Sequence, residues 1–220
     1  LHRLGVRILQ LTYNEKNFVG DGCLEKTDSG LSKFGIKVVE EMNRLGILID
    51  LSHCGAKTTM DALEVSKDQV VFSHANPRSL CNSPRNKTDE QMKAVAEKGG
   101  VIGMTACSPF YDVEGKVHPS IEDLFEHVDY AVHLVGIDHV GLGLDINETD
   151  TPETWPQYYK KYPEVVRGIP NVEKLWLRGL GNVTYFPEIT KGLVKRGYSD
   201  EEVLKLLGGN FLRVFRNVWR

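Results

Sequence analysis

Five short runs of apolar residues recur along the chain, and segments with a helical period of apolar positions separate them. The runs cover residues 6–13, 47–53, 70–74, 101–106 and 140–145. They are rich in Val, Ile and Leu and are nearly continuous, which is typical of strands buried on both faces. The alternation of strands and helices predicts an α/β fold with a parallel sheet and right-handed crossovers.

Capping residues predict where several helices begin and end. The amino-terminal caps are Ser32, Thr88 with Gln91, Ser120 with Asp123, and Ser199 with Glu202. The glycines predicted to end helices are Gly46, Gly100, Gly136 and Gly197. The connection over residues 146–185 contains two tryptophans and four prolines, and its length predicts a segment that covers a site.

The apolar pattern leaves two architectures open. A doubly wound open sheet fits the alternation, but no glycine-rich phosphate loop follows the first strand, where the sequence is TYNE. A (β/α)8 barrel needs eight strands, and five are predicted. Helix-like sequence precedes the first strand, which fits a barrel that the chain enters part-way round.

Polar residues gather at the carboxyl ends of the predicted strands, namely Tyr13, His53, His74 and Asp145. Because these ends open onto one face of a parallel sheet, we expect the side chains to converge. Either histidine alone could serve the core, but two on consecutive strands with a carboxylate favour a divalent ion such as Zn²⁺, Mn²⁺ or Co²⁺. Such an ion lowers the pKa of a bound water toward about 7. Covalent catalysis is the weaker alternative, because no G-x-S-x-G motif is present.

A loop just beyond His74 is rich in turn-forming residues and carries Arg78 and Arg85. The planar fork of an arginine binds carboxylates through two hydrogen bonds. Either arginine is therefore a candidate for holding a substrate carboxylate. The alternative for each is an ordinary solvated loop charge.

Composition narrows the class of protein. The 220 residues carry 27 basic and 30 acidic side chains, a net charge of −3 without basic clusters, which excludes an electrostatic footprint for nucleic acid. No apolar run approaches the roughly 20 residues of a membrane-spanning helix. The four cysteines form no C-x-x-C pair, which indicates neither a disulfide framework nor a zinc ribbon. No signal peptide is evident, which favours the cytoplasm over secretion but leaves the compartment open.

Eight short motifs follow one another at a characteristic spacing. They are LTYN (11–14), GLSKFG (30–35), NRLG (43–46), IDLSH (49–53), FSHAN (72–76), RN (85–86), GLGLD (141–145) and NFLRVF (210–215). None is specific alone. Together they resemble the membrane (renal) dipeptidase family of the amidohydrolase superfamily.

The resemblance implies a (β/α)8 barrel of the TIM type with a binuclear zinc site that hydrolyses dipeptides. It implies that His53 and His74 are the histidine ligands of the second metal and that Arg85 holds the substrate carboxylate. It also implies that Asp145 takes a proton from the attacking water and delivers it to the leaving amine. Tyr13 stands where many members carry a histidine that stabilises the tetrahedral intermediate, and a phenol can also donate to an oxyanion.

The amino-terminal motifs of the family, a His-x-Asp pair on strand 1 and a bridging glutamate on strand 3, have no counterpart in these residues. We therefore expect the chain, a single domain over residues 1–220, to supply strands 4–8, the carboxyl-terminal two-thirds of the family's sequence. Such a piece has two unpaired sheet edges and an uncovered apolar interior. We expect a longer enzyme in which an N-terminal barrel segment completes the site. Alone, the chain should bind one metal weakly and turn over little substrate. Members of the family are commonly dimeric, so the resemblance also suggests a homodimer.

Two other functions stay open. The first is another amidohydrolase reaction, lactone hydrolysis or deamination, because the barrel and its strand-end ligands are widely shared. A role of Arg85 in substrate binding would distinguish dipeptide hydrolysis from lactone hydrolysis, since a neutral lactone needs no carboxylate clamp. The second is a non-catalytic module whose open sheet edges take a partner strand. Failure of His53 and His74 to bind zinc would favour that module.

Overall fold

The computed structural model describes residues 1–111, 118–147, 155–166 and 174–220. Five strands in these ranges form one parallel sheet in chain order: β1 (Ile8–Gln10), β2 (Leu48–Asp50), β3 (Val70–Phe72), β4 (Val101–Met104) and β5 (Val140–Leu142). All five predicted strands are confirmed, and each ends two or three residues earlier than predicted. A sequential parallel order is that of a barrel wall, whereas a doubly wound sheet reverses its order part-way.

Helices connect and cover the strands. They are α1 (Lys33–Leu45), α2 (Ala56–Val65), α3 (Asp89–Glu97), α4 (Ile121–Val135), α5 (Trp155–Lys161), α6 (Pro163–Val166), α7 (Phe186–Lys195), α8 (Asp200–Leu204) and α9 (Asn210–Val218). A single π-type turn over Lys205–Gly209 joins α8 to α9. None of the described helices is long and apolar enough to cross a membrane.

The predicted caps form, with one exception among the glycines. Ser32 accepts a hydrogen bond from the Gly35 amide, and the capping boxes of Thr88 and Ser199 are complete. At Ser120, the Asp123 carboxylate accepts from the Ser120 amide. The prediction for Gly100 is wrong, because Gly99, with a φ of 79°, adopts the left-handed conformation after α3. A side chain at Gly100 would lie 2.1 Å from the Val70 carbonyl oxygen, so this second glycine permits the close approach of β3.

The main core lies between the sheet and the outer helices α1 to α4. Ile49, Phe72, Ile102 and Met104 point to this side and are fully buried. Alternate strand residues point to the opposite face. There, Leu48, Val71 and Val101 are fully buried against Val214 and Val218 of α9. The expectation of an uncovered apolar interior is therefore wrong at this level of the sheet, because α9 covers the face.

Two glycines make room for α9. Gly103 of β4 and Gly141 of β5 are partners in the sheet. A Cβ at Gly141 would lie 2.8 Å from the Phe211 ring, and one at Gly103 would lie 3.1 Å from it. The missing side chains thus create the space that the Phe211 ring occupies.

The sheet edges stay open, since within the described residues β1 and β5 each pair with one strand only.

Candidate active site

The predicted site residues lie in the loops that follow the strands. Tyr13 and His53 come three residues after β1 and β2, His74 comes two residues after β3, and Asp145 comes three residues after β5. Asp145 and Asn14 each have a φ of 60°, and they are the two non-glycine residues of the described ranges with positive φ. Such backbone conformations cost free energy, and they cluster at functional sites.

Two imidazole rings meet at the centre of the site. The Nε2 atoms of His53 and His74 are 2.9 Å apart, and the rings lie edge to face. Oδ2 of Asp145 lies 3.9 Å from Nε2 of His74. His53 is buried, whereas the Asp145 side chain is 46% exposed. The convergence predicted from the sequence is therefore present.

The other nitrogen of each ring is held by an acceptor. Nδ1 of His53 lies 2.7 Å from Oδ1 of Asn14, and Nδ1 of His74 lies 2.7 Å from the Ser73 hydroxyl. That hydroxyl donates its own proton to Asp50 at 2.6 Å, so its oxygen accepts from His74. Both rings therefore carry their proton on Nδ1, and two bare Nε2 lone pairs face each other.

The carboxylate of Asp50 anchors this arrangement from below. It is buried and accepts hydrogen bonds from the amide and hydroxyl groups of both Ser52 and Ser73, at 2.6–3.0 Å. Ser52 and Ser73 directly precede the two histidines in the sequence. The anchor therefore fixes both loops, and with them the separation of the two rings.

The donor set fits two ligands of one divalent ion. Two facing lone pairs at 2.9 Å repel each other unless a cation lies between them. Two nitrogen ligands of a tetrahedral zinc ion are roughly 3.3 Å apart, so a small opening of the pair suffices. Ligating histidines typically donate their second N–H to an oxygen acceptor, as both do here. Within the described ranges, no group of three or more His, Cys, Asp or Glu side chains gathers around one point.

Burial disfavours a proton on either imidazole. Burial, with the nearby charges of Arg85 and Lys87, holds the pKa of His53 far below its usual value. Burial also lowers the pKa of His74, although the Asp145 carboxylate opposes this shift. Both rings are therefore neutral and available as ligands.

Arg85 is buried beneath the site. One terminal nitrogen donates to the Ser52 carbonyl and the other lies 3.5 Å from the His74 carbonyl. Its Nε is buried and has no hydrogen-bond partner among the described residues. A guanidinium has five N–H groups, so these two contacts do not use all of its donors. Arg78, the second candidate, instead bonds Asn82 at 3.0 Å and does not line this cavity.

A cavity of about 200 Å³ opens over these residues. Tyr13, His53, Arg85 and Asp145 line it, and its wall is completed by apolar groups from Phe110, Val165, Val166, Leu175 and Trp176. The ring of Tyr13 stacks on that of His53, with centroids 4.1 Å apart. Burial raises the pKa of Tyr13, so its phenol stays protonated. The segment 146–185 supplies part of this wall, as its length suggests.

Four residues of the site escape the sequence analysis: Asn14, Asp50, Ser73 and Tyr158. An acid inside the buried run ILID was the available signal for Asp50, since a buried carboxylate requires several donors. Asn14 and Ser73 adjoin predicted site residues and carry no signal beyond that adjacency. Tyr158 belongs to a segment without a readable pattern.

Comparison with known proteins identifies the family. The sequence profile described as membrane dipeptidase (peptidase family M19) matches residues 1–174 and 168–220. The chain belongs to this family. Its parallel sheet is accordingly that of the amidohydrolase-type TIM barrel, as predicted.

Individual relatives support the same assignment. Dipeptidase verJ of Clonostachys rogersoniana is 33% identical over 220 residues, which cover 99% of this chain and 50% of that protein. An amidohydrolase from Pseudomonas aeruginosa superposes with a TM-score of 0.85 at 38% identity, over 99% of this chain and 66% of that one. A metallopeptidase from Rhodobacter sphaeroides, solved with a phosphinate mimic of the dipeptide L-Ala-D-Ala, gives 0.82 at 25% identity, over 99% and 57%.

The match covers nearly all of this chain but only part of each relative. This chain spans about half the length of the curated fungal relatives that it matches. Family membership and fold therefore rest on nearly the whole of this chain.

Proposed function

We propose that this protein hydrolyses dipeptides with a divalent metal ion, zinc being the ion that the donor set favours. The observation that carries the proposal is the pair of bare Nε2 atoms 2.9 Å apart, each oriented through its Nδ1 by an acceptor. A bound divalent ion supplies water that is acidic enough to attack an amide at neutral pH. His53 and His74 are the residues that hold this ion.

The remaining residues divide the work of amide hydrolysis. Asp145, half exposed and beside His74, accepts a proton from the attacking water and returns it to the leaving amine. The protonated phenol of Tyr13 donates a hydrogen bond to the oxyanion that forms on the scissile carbonyl. Arg85 holds the terminal carboxylate of the substrate through the N–H groups that its backbone contacts leave unused.

The open edges of the sheet fit a longer barrel. β1 and β5 each expose one unpaired edge in the described structure, whereas α9 already fills the face between them. We propose that further strands, which supply additional metal ligands, pair with these edges in the complete enzyme and make its site binuclear. Intact mass and metal content of the native protein test this point. A 220-residue enzyme with two tightly held ions and full activity would refute it.

A pair of substrates tests the reaction and its carboxylate clamp without altering the protein. The full-length protein, reconstituted with zinc, is assayed with L-Ala-L-Ala and with L-Ala-L-Ala amide, which lacks the terminal carboxylate. We expect hydrolysis of the first and about a 100-fold lower kcat/KM for the second, because the guanidinium N–H groups that would hold the carboxylate lose their charged acceptor. Equal rates would remove Arg85 from substrate binding. The Asp145→Asn variant, which lacks the proposed proton acceptor, is the control for the chemical step.

Lactone hydrolysis is the second candidate, because the barrel hosts many reactions. A neutral lactone places no demand on Arg85, which is buried and has an unpaired Nε in the described structure. Turnover of lactones combined with no turnover of dipeptides would favour this candidate.

A further inference from the structure

We propose that the apolar side of the cavity receives the side chain of the substrate's carboxyl-terminal residue and selects dipeptides that end in a medium-sized apolar residue, such as valine or leucine. We call this side the apolar wall; it consists of Phe110, Val165, Val166, Leu175 and Trp176. The inference rests on the proposed hydrolysis of dipeptides and names the substrates that this site prefers.

The apolar wall begins at the residue that is proposed to hold the substrate carboxylate. Cζ of Arg85 lies over the ring of Phe110, 5.2 Å from its centre, and both residues line the cavity. In a dipeptide, the terminal carboxylate and the side chain of the last residue are bonded to the same Cα. A carboxylate bound by Arg85 therefore brings that side chain to the wall, whereas the first side chain lies beyond the scissile amide.

The wall is packed before any substrate binds. Its five residues are at most 9% exposed and, with Cys107 and Tyr162, they form an apolar cluster separate from the main core. The backbone ties this cluster to the segment after β4, because the Ser108 amide donates to the Leu175 carbonyl at 2.7 Å and Cys107 pairs with Trp176 in an isolated bridge. A substrate side chain therefore meets a preformed surface, and its binding does not have to order the wall.

The described part of the cavity offers no counter-ion for a charged substrate side chain. Among the described residues that line it, Arg85 and Asp145 are the two with charged side chains, and the proposed reaction uses both. An ammonium or carboxylate group placed against the apolar wall would lose its hydration without gaining a partner, which is costly. Acidic and basic carboxyl-terminal residues are therefore disfavoured.

The size of the cavity sets an upper limit on the side chain. Its volume is about 200 Å³, which is smaller than the roughly 300–1,000 Å³ of pockets for drug-sized ligands. The dipeptide backbone occupies part of this space, because it has to extend from the two histidines to Arg85. The remaining space fits an aliphatic side chain rather than an indole ring.

A series of dipeptides tests the inference on the unaltered full-length zinc protein. L-Ala-L-Leu and L-Leu-L-Ala are isomers that place the same side chain at opposite ends, and L-Ala-L-Ala is the reference. We expect kcat/KM for L-Ala-L-Leu to exceed that for L-Ala-L-Ala by about 10- to 100-fold, because three more carbon atoms are buried. L-Leu-L-Ala should resemble the reference, and L-Ala-L-Glu should be hydrolysed at least about 100-fold less efficiently than L-Ala-L-Leu.

Two results of this series would overturn the inference. Equal values for the two isomers, or a higher value for L-Leu-L-Ala, would show that the wall does not receive the carboxyl-terminal side chain. Equal values for L-Ala-L-Glu and L-Ala-L-Leu would show that the wall does not select apolar residues.

A pair of variants tests the wall itself. Leu175→Ala widens the cavity, and Leu24→Ala is the matched control, because Leu24 packs against the same cluster but does not line the cavity. The measured quantity is the ratio of kcat/KM for L-Ala-L-Phe to that for L-Ala-L-Val, which a partial loss of folded protein does not change. Leu175→Ala should raise this ratio by about tenfold, since the larger side chain then fits, and Leu24→Ala should leave it unchanged. The same ratio in both variants would overturn the role of the wall.

The dipeptide series also separates this inference from the proposed function. A wild-type protein that hydrolyses none of these dipeptides refutes the proposed function, and the inference falls with it. An active wild-type protein without the preference for L-Ala-L-Leu refutes the inference alone.

Discussion

Replacement of Lys87 by methionine should change how stability depends on pH. Lys87 is buried, its ammonium donates to the Cys54 carbonyl at 2.9 Å and lies 5.0 Å from the centre of the Phe72 ring. Burial lowers its pKa to about 8. The neighbouring Cys54, Cys23 and Asp50 oppose this shift, and the Arg85 charge adds to it. In the unfolded chain the pKa returns to 10.5.

The unfolded state therefore binds more protons than the folded state between pH 8 and pH 10.5, so the contribution of Lys87 to stability rises with pH. One pKa unit corresponds to about 1.4 kcal/mol. Linkage between the two values gives a gain of about 2.5 kcal/mol in the free energy of unfolding from pH 7 to pH 10, relative to a variant without the group.

Urea unfolding of wild type and Lys87→Met, at pH steps from 7 to 10 under reducing conditions, measures this difference directly. Subtraction of the two curves cancels the titration of the tyrosines and of the other groups that the proteins share. Lys93→Met, which removes an exposed lysine of α3, is the control and should give a difference independent of pH. A flat difference for Lys87→Met as well would refute the reasoning, since it would mean that the buried ammonium keeps its ordinary pKa.

Two further substitutions test the support of the histidines. Asp50→Asn should weaken zinc binding, measured by calorimetry, by about 10- to 100-fold. The reason is that Ser73 is then free to donate to Nδ1 of His74, which moves the ring proton onto Nε2. An unchanged affinity would contradict the role of Asp50 in orienting His74. Gly143→Ala should cost at least about 3 kcal/mol of stability by urea unfolding, because its Cβ would lie 1.7 Å from the Ser73 carbonyl oxygen. Gly181→Ala, with no atom within 4 Å of the added carbon, is the matched control and should be nearly neutral.

The strands and most helix ends were predictable because they depend on local chemistry. Unbroken runs of Val, Ile and Leu mark strands covered on both faces, and a cap such as Thr88 with Gln91 satisfies its own amides. The position of α9 was not predictable. It depends on the fit of Phe211 over Gly103 and Gly141, which are far from it in the sequence.

The residues of the candidate site also differ in how far the sequence predicts their positions. The convergence of the four strand-end residues is predictable because parallel strands bring their carboxyl ends to one edge. Their supports are not predictable, because a hydrogen bond such as that between Asn14 and His53 joins residues 39 positions apart. The residue type and loop position of Arg85 make it a candidate, whereas its two backbone contacts depend on the fold.

Those backbone contacts decide how Arg85 is to be tested. Its terminal nitrogens reach the carbonyls of Ser52 and His74, one on each of the loops that carry the two histidines proposed to bind metal. Removal of the side chain would release both loops as well as the proposed hold on the substrate carboxylate, so an alanine variant would lose activity for either reason. A substrate without its carboxylate leaves the loops intact and perturbs the clamp alone. The comparison of L-Ala-L-Ala with its amide is therefore the sharper test. The zinc affinity of an Arg85→Met variant then measures how much Arg85 contributes to holding the two loops in place.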